Sequence, residues 1–268
     1  MSSPNKYISK LSGANILIIG GTAGVGYAVA EAAIEHGAAL VILSTSNPDR
    51  VSASTLGLRD SYPSSSCQIN GFTCDLKQEH LLEANIEALF SAATLNGTRK
   101  LNHVVFTAGD HPIPKPLAQI NFEFIKNTGL VRFFAPLLIA KLAVSHMAPG
   151  LASSISFTSG VSAYRPYPNW NALGAYTGSL EGMVRSLAVE MRPVRVNLVT
   201  LGPVDTDLIS RWYSTPEARR EGLDSIGHTL ITGRIGQAED VAEAYVYCMK
   251  DCNLTGSVIN SNGGVLMV

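Results

Sequence analysis

Three groups of residues in this chain have types and spacings that can do chemistry. The first is Gly20, Gly24 and Gly26, with Thr22 and Val25 among them, directly after the apolar run 16–19 and before a helical stretch, 27–36. Glycines so placed let a backbone turn tightly and come close to a pyrophosphate, and the next helix offers that anion free N–H groups and its positive dipole end. The second is Arg132, the one conspicuous charge inside Leu130-Val131-Arg132-Phe133-Phe134. An arginine in such a setting is rarely buried without a partner, so it either reaches the surface or points into a polar cavity. The third is Ser159 at a strand end, followed by a rigid aromatic loop holding Tyr164, Arg165, Tyr167 and Trp170 around Pro166 and Pro168.

The segment after the second strand bears on the nucleotide. In dinucleotide-binding folds an acid about 20 residues past the glycines grips the ribose hydroxyls. Here Ser44, Thr45 and Ser46 occupy that region, and no carboxylate comes before Asp49. Small hydroxyls can donate to a 2′-phosphate and Arg50 can neutralise it, which predicts NADP(H) over NAD(H). The alternative is a plain turn with Arg50 in water. Asp75 falls at the ligand-bearing edge of the sheet, where it can meet a ligand, cap the following helix, or both. His111, in the proline-rich stretch 110–116, reads as an exposed loop residue.

These groups need elements to position them. Apolar strands are predicted at 16–19, 39–43, 69–73, 103–106, 151–158, 194–199 and 257–260. Helices are predicted at 27–36, 77–93, 118–147 with a break near 127–129, 172–192 and 239–250, and residues 208–221 read as an amphipathic lid. Alternating strands and helices predict an α/β, doubly wound parallel sheet of about seven strands. A chain of 268 residues, 46% hydrophobic, can bury one core as a single domain. Its net charge of −1 argues against nucleic acid. No apolar run reaches the roughly 18 residues of a membrane span, and residues 1–10 lack a signal-peptide apolar region. Cys67, Cys74, Cys248 and Cys252 form no metal-binding pattern. The expectation is a soluble cytoplasmic protein without metal, acting on a small molecule.

Together these motifs resemble the short-chain dehydrogenase/reductase family over essentially the whole chain. Gly20-x-x-x-Gly24-x-Gly26 is similar to its cofactor turn, Asp75-Leu76 to its adenine-contacting pair, and Ala108-Gly109 to the end of its Asn-Asn-Ala-Gly turn. Gly202-Pro203-Val204-Asp205-Thr206 is similar to its nicotinamide-side loop, which implies cofactor contacts at Gly202, Val204 and Thr206. The resemblance implies a Rossmann fold, a nicotinamide cofactor and a homodimer or homotetramer. It also exposes a loss. Of the family's Asn, Ser, Tyr and Lys, only the serine is matched, by Ser159. The other three positions fall on Arg132, Leu173 and Thr177.

Losing a positioned general acid costs about 10²–10⁴-fold in rate. Three outcomes remain: a reaction that needs no acid, a substitute donor, or binding without turnover. Iminium reduction is the first case, because hydride addition gives a neutral amine directly. A fungal branch of the family, including indole-alkaloid reductase/Diels–Alderases, resembles this chain in its arginine and in the run Arg165–Trp170. Those enzymes pair the arginine with an aspartate three residues before the tryptophan, where this chain has Tyr167. An unpaired Arg132 repels an iminium and suits a carbonyl oxygen, enolate or carboxylate. Tyr164 or Tyr167 then becomes either the donor or a piece of aromatic wall. The expected activity is NADP(H)-dependent reduction of a bulky apolar molecule (an imine, iminium or activated carbonyl) in secondary metabolism. Arg132 is the clamp, Ser159 the donor and Trp170 the stacking wall. The alternatives are a pericyclase or isomerase and a silent NADP(H) binder.

Overall fold

A computed structural model of the chain describes residues 5–268; the first four residues of the polar N-terminal stretch lie outside it. Seven parallel strands form one sheet in the order β3-β2-β1-β4-β5-β6-β7. They are β1 Asn15–Ile19, β2 Leu40–Thr45, β3 Gln68–Thr73, β4 His103–Phe106, β5 Ser154–Gly160, β6 Arg195–Leu201 and β7 Val258–Ser261. The order reverses between β1 and β4, so the crevice at their C-terminal ends is the ligand position of an open α/β sheet. Both faces are covered, which is why β1, β2 and β4 read as unbroken apolar runs rather than alternating ones. On one face α1 (Gly24–Glu35) and α9 (Ala238–Lys250) pack side by side over Ile16, Ile18, Val41 and Val199. On the other, α3 (Leu82–Ala93), α5 (Ala135–His146) and α6 (Asn171–Glu190) cover Leu17, Val104, Phe157 and Leu198.

The predicted elements recur with shifted ends and several corrections. Helix α1 begins at Gly24, three residues earlier than expected, so the last glycines of the turn are already its first residues. The helix expected from residue 77 begins at Leu82, after a single 3₁₀ turn. Helix α2, Pro48–Ser61, was not anticipated. Only Val51, Thr55 and Leu58 of it are buried, too few to print a period, yet Asn47 caps it by accepting from the Arg50 N–H at 3.0 Å and proline follows at its first position. The expected lid is two helices, α7 Asp207–Ser210 and α8 Pro216–His228.

The long helix expected at 118–147 is divided in the functionally relevant place. After α4 (Phe122–Gly129), Leu130–Phe134 form a π-helical turn before α5 begins. Such turns recur at functional sites because the added residue re-aims its neighbours. Gly129 permits the packing beneath it: a Cβ there would lie 2.5 Å from Tyr176 Cζ. Phe133 and Phe134 pack on Tyr176, which leaves Arg132 to turn the other way. The continuous run Phe122–His146, 25 residues, is long and apolar enough to cross a membrane by length and composition, contrary to the expectation from unbroken apolar runs. Its buried residues, Ile139, Ala140 and Ala143 among them, belong to the core under the sheet, while Phe122, Leu137 and Val144 of the same run are exposed.

At the N-terminal edge of the sheet the strands open on polar residues that are buried and satisfied. His103 Nδ1 lies 2.9 Å from Ser154 Oγ, and Arg195, 3% exposed, donates to the carbonyls of Leu151, Cys248, Met249, Asp251 and Leu254. That arginine ties the C-terminal end of α9 to β6, with Nε, Nη1 and Nη2 all donating to backbone carbonyls.

Candidate active site

The C-terminal edge opens into a cavity of about 1030 Å³, lined by the turns after β1, β2, β3, β4, β5 and β6. Every residue expected at the site lines it except Ser44 and Tyr164.

Its first half is a backbone cradle. Gly20 has a φ of +90°, and a Cβ on it would lie 2.5 Å from the Ala108 backbone nitrogen, so this glycine lets the turns after β1 and β4 touch. Gly24, at φ +51°, faces Thr206, whose Cγ2 would be 2.9 Å from an added Cβ. Ala23 precedes α1 with no side-chain cap, and the first turn carries no acid. The helix therefore presents its first N–H groups to the cavity, unblocked and ready for an anion. Thr22, Val25, Asp75, Leu76, Gly109, Gly202 and Val204 complete this half. Asp75 also accepts from the Lys77 N–H at 2.9 Å and from Gln78 Nε2 at 2.9 Å, so it caps the following turn as well as lining the cavity.

At the far end of the cradle stand Thr45, Ser46 and Arg50. Arg50 is paired at 3.9 Å with the exposed Asp207 rather than pointing into water alone. Ser44 does not join them. It is fully buried in β2, with its Oγ unpartnered among the described residues, because successive strand side chains face opposite sides.

The second half is built from side chains. Arg132 is not a lone guanidinium. Its Nη2 lies 3.1 Å from Asp110 Oδ1 and also donates to the Asp110 carbonyl, and both side chains are largely buried. Burial pulls the guanidinium pKa down while Asp110 pushes it back up, and the pair is neutral overall. Lys77 Nζ stands 3.7 Å from the other Asp110 oxygen, at the exposed rim. The carboxylate opposite Arg132 thus comes from the loop after β4 and not from the position three before Trp170, where Tyr167 lines the cavity instead. Asp110 escaped notice because it sits 22 residues upstream in a loop; the one acid directly after Ala108-Gly109 was the available signal.

Ser159 Oγ donates to the Thr177 carbonyl at 3.0 Å, and Leu173 and Thr177 both line the cavity at the two places where the tyrosine and lysine were lost. The Thr177 hydroxyl is spent on the Leu173 carbonyl at 3.0 Å. Tyr164 cannot replace them. It is 44% exposed outside the cavity, and its phenol is pushed up first by burial and then by Glu181. Tyr167 and Trp170 are wall, with ring centroids 5.3 Å apart. Trp170 meets Trp212 of the α7–α8 segment at 6.2 Å, and Trp212 in turn meets His111 at 6.2 Å. His111 is half-buried at the cavity and not the exposed loop residue expected. Two loops of this half are stitched together: the Lys115 N–H donates to the Asn169 carbonyl at 2.8 Å, and Asn171 Nδ2 donates to the Lys115 carbonyl at 3.0 Å.

A parallel sheet with a glycine turn at its switch point, an unblocked helix N-terminus and an adjoining apolar pocket defines an α/β oxidoreductase that binds a nicotinamide dinucleotide. The chain matches the SDR-like Rossmann domain over residues 7–268 and belongs to the short-chain dehydrogenase/reductase family. It is 39% identical over 271 residues to the short-chain dehydrogenase/reductase fsr5 of Gibberella fujikuroi, with all of both chains covered. To malC of Malbranchea aurantiaca it is 41% identical over 259 residues, covering 96% of each. The solved structure of that protein, described as the MalC reductase/Diels–Alderase, superposes with a TM-score of 0.90 at 40% identity, covering 98% of this chain and 100% of the other.

Proposed function

We propose that this protein is an NADP(H)-dependent reductase of a bulky, largely apolar imine or iminium in secondary metabolism. The observation that carries the reading is the pair Leu173 and Thr177: the cavity holds no side chain able to deliver a proton where the family's tyrosine and lysine stand. A nicotinamide, when bound, supplies the hydride. A C=N⁺ carbon accepts it, and the π electrons become the nitrogen lone pair, so no proton is needed. The chain's task is then electrostatic and steric. Asp110 cancels the charge of Arg132 and so removes the repulsion that a lone guanidinium exerts on a cation. Arg132 holds Asp110 in place and keeps donors free for an acceptor on the substrate. Tyr167 and Trp170 offer aromatic faces, which attract cations by their quadrupole. Ser159, tied to Thr177, shapes the floor. Thr45, Ser46 and Arg50 support NADP(H) over NAD(H): the hydroxyls can donate to a 2′-phosphate, and Arg50 can neutralise it by exchanging its exposed partner Asp207, 3.9 Å away, for the phosphate.

The test uses two probes of similar size: N-methyl-3,4-dihydroisoquinolinium, a permanent iminium, and 1-tetralone, a ketone that needs a proton. The expected result is protein-dependent NADPH oxidation with the iminium, with deuterium from [4-²H]NADPH in the amine, and little with the ketone. Faster ketone reduction would overturn the reading. A second activity, templating of a cycloaddition, is favoured by the described activity of the Malbranchea relative and by the size of the cavity. It predicts a cyclised product without deuterium at the cyclised centre. The exposed apolar residues Phe122, Leu137, Val144 and Val189 on α4, α5 and α6 support a homo-oligomer.

A further inference from the structure

His111 faces the cavity with chemistry that the reduction does not use. Its imidazole stands in the loop after β4, one residue beyond Asp110, with its ring edge-on to Trp212 at 6.2 Å and an interplanar angle of 71°. Nδ1 is enclosed and has no hydrogen-bond partner among the described residues. A proton on Nδ1 would be a buried donor with nothing to receive it, and leaving a donor so is costly. The proton therefore belongs on Nε2, which is not enclosed, and the ring presents an N–H to the cavity. The aromatic contact with Trp212 fixes the plane of the ring, so the direction of that N–H is fixed too. Pro112, Ile113, Ile209 and Trp212, which line the same cavity, are apolar, with Ile113 and Trp212 open to solvent. A ligand that covers this donor without offering an acceptor leaves it unpaired, whereas one with an acceptor satisfies it, so the position discriminates between the two.

We propose that His111 is a specificity-determining residue: its Nε2–H donates to a neutral acceptor, a carbonyl oxygen or an aromatic ring nitrogen, on the substrate, at a point separate from the Asp110–Arg132 pair. The substrate is then a polycycle with two polar positions, the reducible C=N and a second, non-reacting acceptor. This rests on the assignment of the cavity as the substrate site, but it does not depend on hydride transfer.

The experiment measures binding only, with the protein loaded with NADP⁺ so that nothing can be reduced. The probes are 9-fluorenone and fluorene, tricycles of nearly equal shape with and without a carbonyl oxygen, and the signal is quenching of tryptophan fluorescence. One neutral hydrogen bond predicts that the wild type binds fluorenone about three- to tenfold tighter than fluorene. His111→Phe keeps an aromatic ring against Trp212 and removes the donor, so the two probes become equal. His111→Gln, which restores an N–H, recovers part of the preference. An unchanged NADP⁺ affinity in both variants reports an intact fold. A wild type without preference, or a preference that survives His111→Phe, overturns the inference; the second result moves the acceptor to Arg132. If no iminium is ever reduced while the fluorenone preference follows His111, the reductase reading fails and this one stands.

Discussion

The two edges of the same sheet each carry a buried arginine, and the contrast between them separates structure from chemistry. At the N-terminal edge Arg195 distributes its donors over the carbonyls of Leu151, Cys248, Met249, Asp251 and Leu254. At the C-terminal edge Arg132 is held by Asp110 alone and looks into open space. Both guanidiniums are desolvated, which lowers the pKa of each. Burial therefore does not distinguish them. What distinguishes them is that five backbone carbonyls surround Arg195, whereas Arg132 meets one residue and keeps donors toward the cavity.

Substitutions can break that contrast. Arg195→Ala strands several buried carbonyls, so it should lower unfolding free energy by at least ~3 kcal/mol in a urea titration, while leaving the turnover of folded enzyme intact. A loss of turnover with unchanged stability would mean that the two edges are coupled. His103, also at the N-terminal edge, sharpens the same point through pH. Burial, and then the charge of Arg195, lowers its pKa to about 3, below the ordinary value of the unfolded chain. Between those two values the unfolded chain binds a proton that the folded protein refuses. Stability should be level above about pH 6.5 and fall by up to ~1.4 kcal/mol per pH unit below it. His103→Asn should flatten this slope at the cost of lower stability at pH 7; an unchanged slope would assign the acid limb to other groups.

Smaller effects belong to the cofactor half. Arg50→Ala should weaken NADPH binding about tenfold in calorimetry and leave NADH within twofold, if the guanidinium meets a 2′-phosphate. Equal losses for both nucleotides would reduce Arg50 to a partner of Asp207. The smallest change is at the cap of α2, where Asn47→Ala should cost ~1 kcal/mol of stability. An effect on NADPH affinity larger than that of Arg50→Ala would show that α2 positions the nucleotide more than its charge does.

The glycine cradle of the cavity was largely legible in the sequence because backbone dictates it. Gly20 and Gly24 are constrained by positive φ and by close approach to Ala108 and Thr206, and such constraints leave a residue type behind. The failures there are local. Ser44 and Thr45 differ by one strand position, and a strand's alternation sends only one of them to the cavity. The substrate half was legible in its residues and illegible in its pairings. Arg132 stands out by charge in an apolar run, but its carboxylate comes from a loop 22 residues upstream, and no periodicity announces the π-helical turn that carries the arginine. His111 reads as an exposed residue among prolines, yet its ring meets Trp212, a hundred residues later in a segment expected to be a lid. Tyr164 erred the other way, since composition cannot say which tyrosine of a short loop turns inward.

The central claim is that the Asp110–Arg132 pair takes over where the tyrosine and lysine are lost, by balancing charge for a cationic substrate. The most direct measurement is kcat/KM of Asp110→Asn for N-methyl-3,4-dihydroisoquinolinium, beside the Kd for NADPH. An unbalanced Arg132 should lower kcat/KM by about 10²-fold and leave NADPH affinity within twofold. Unchanged iminium reduction, or a parallel loss of NADPH binding, would contradict the account.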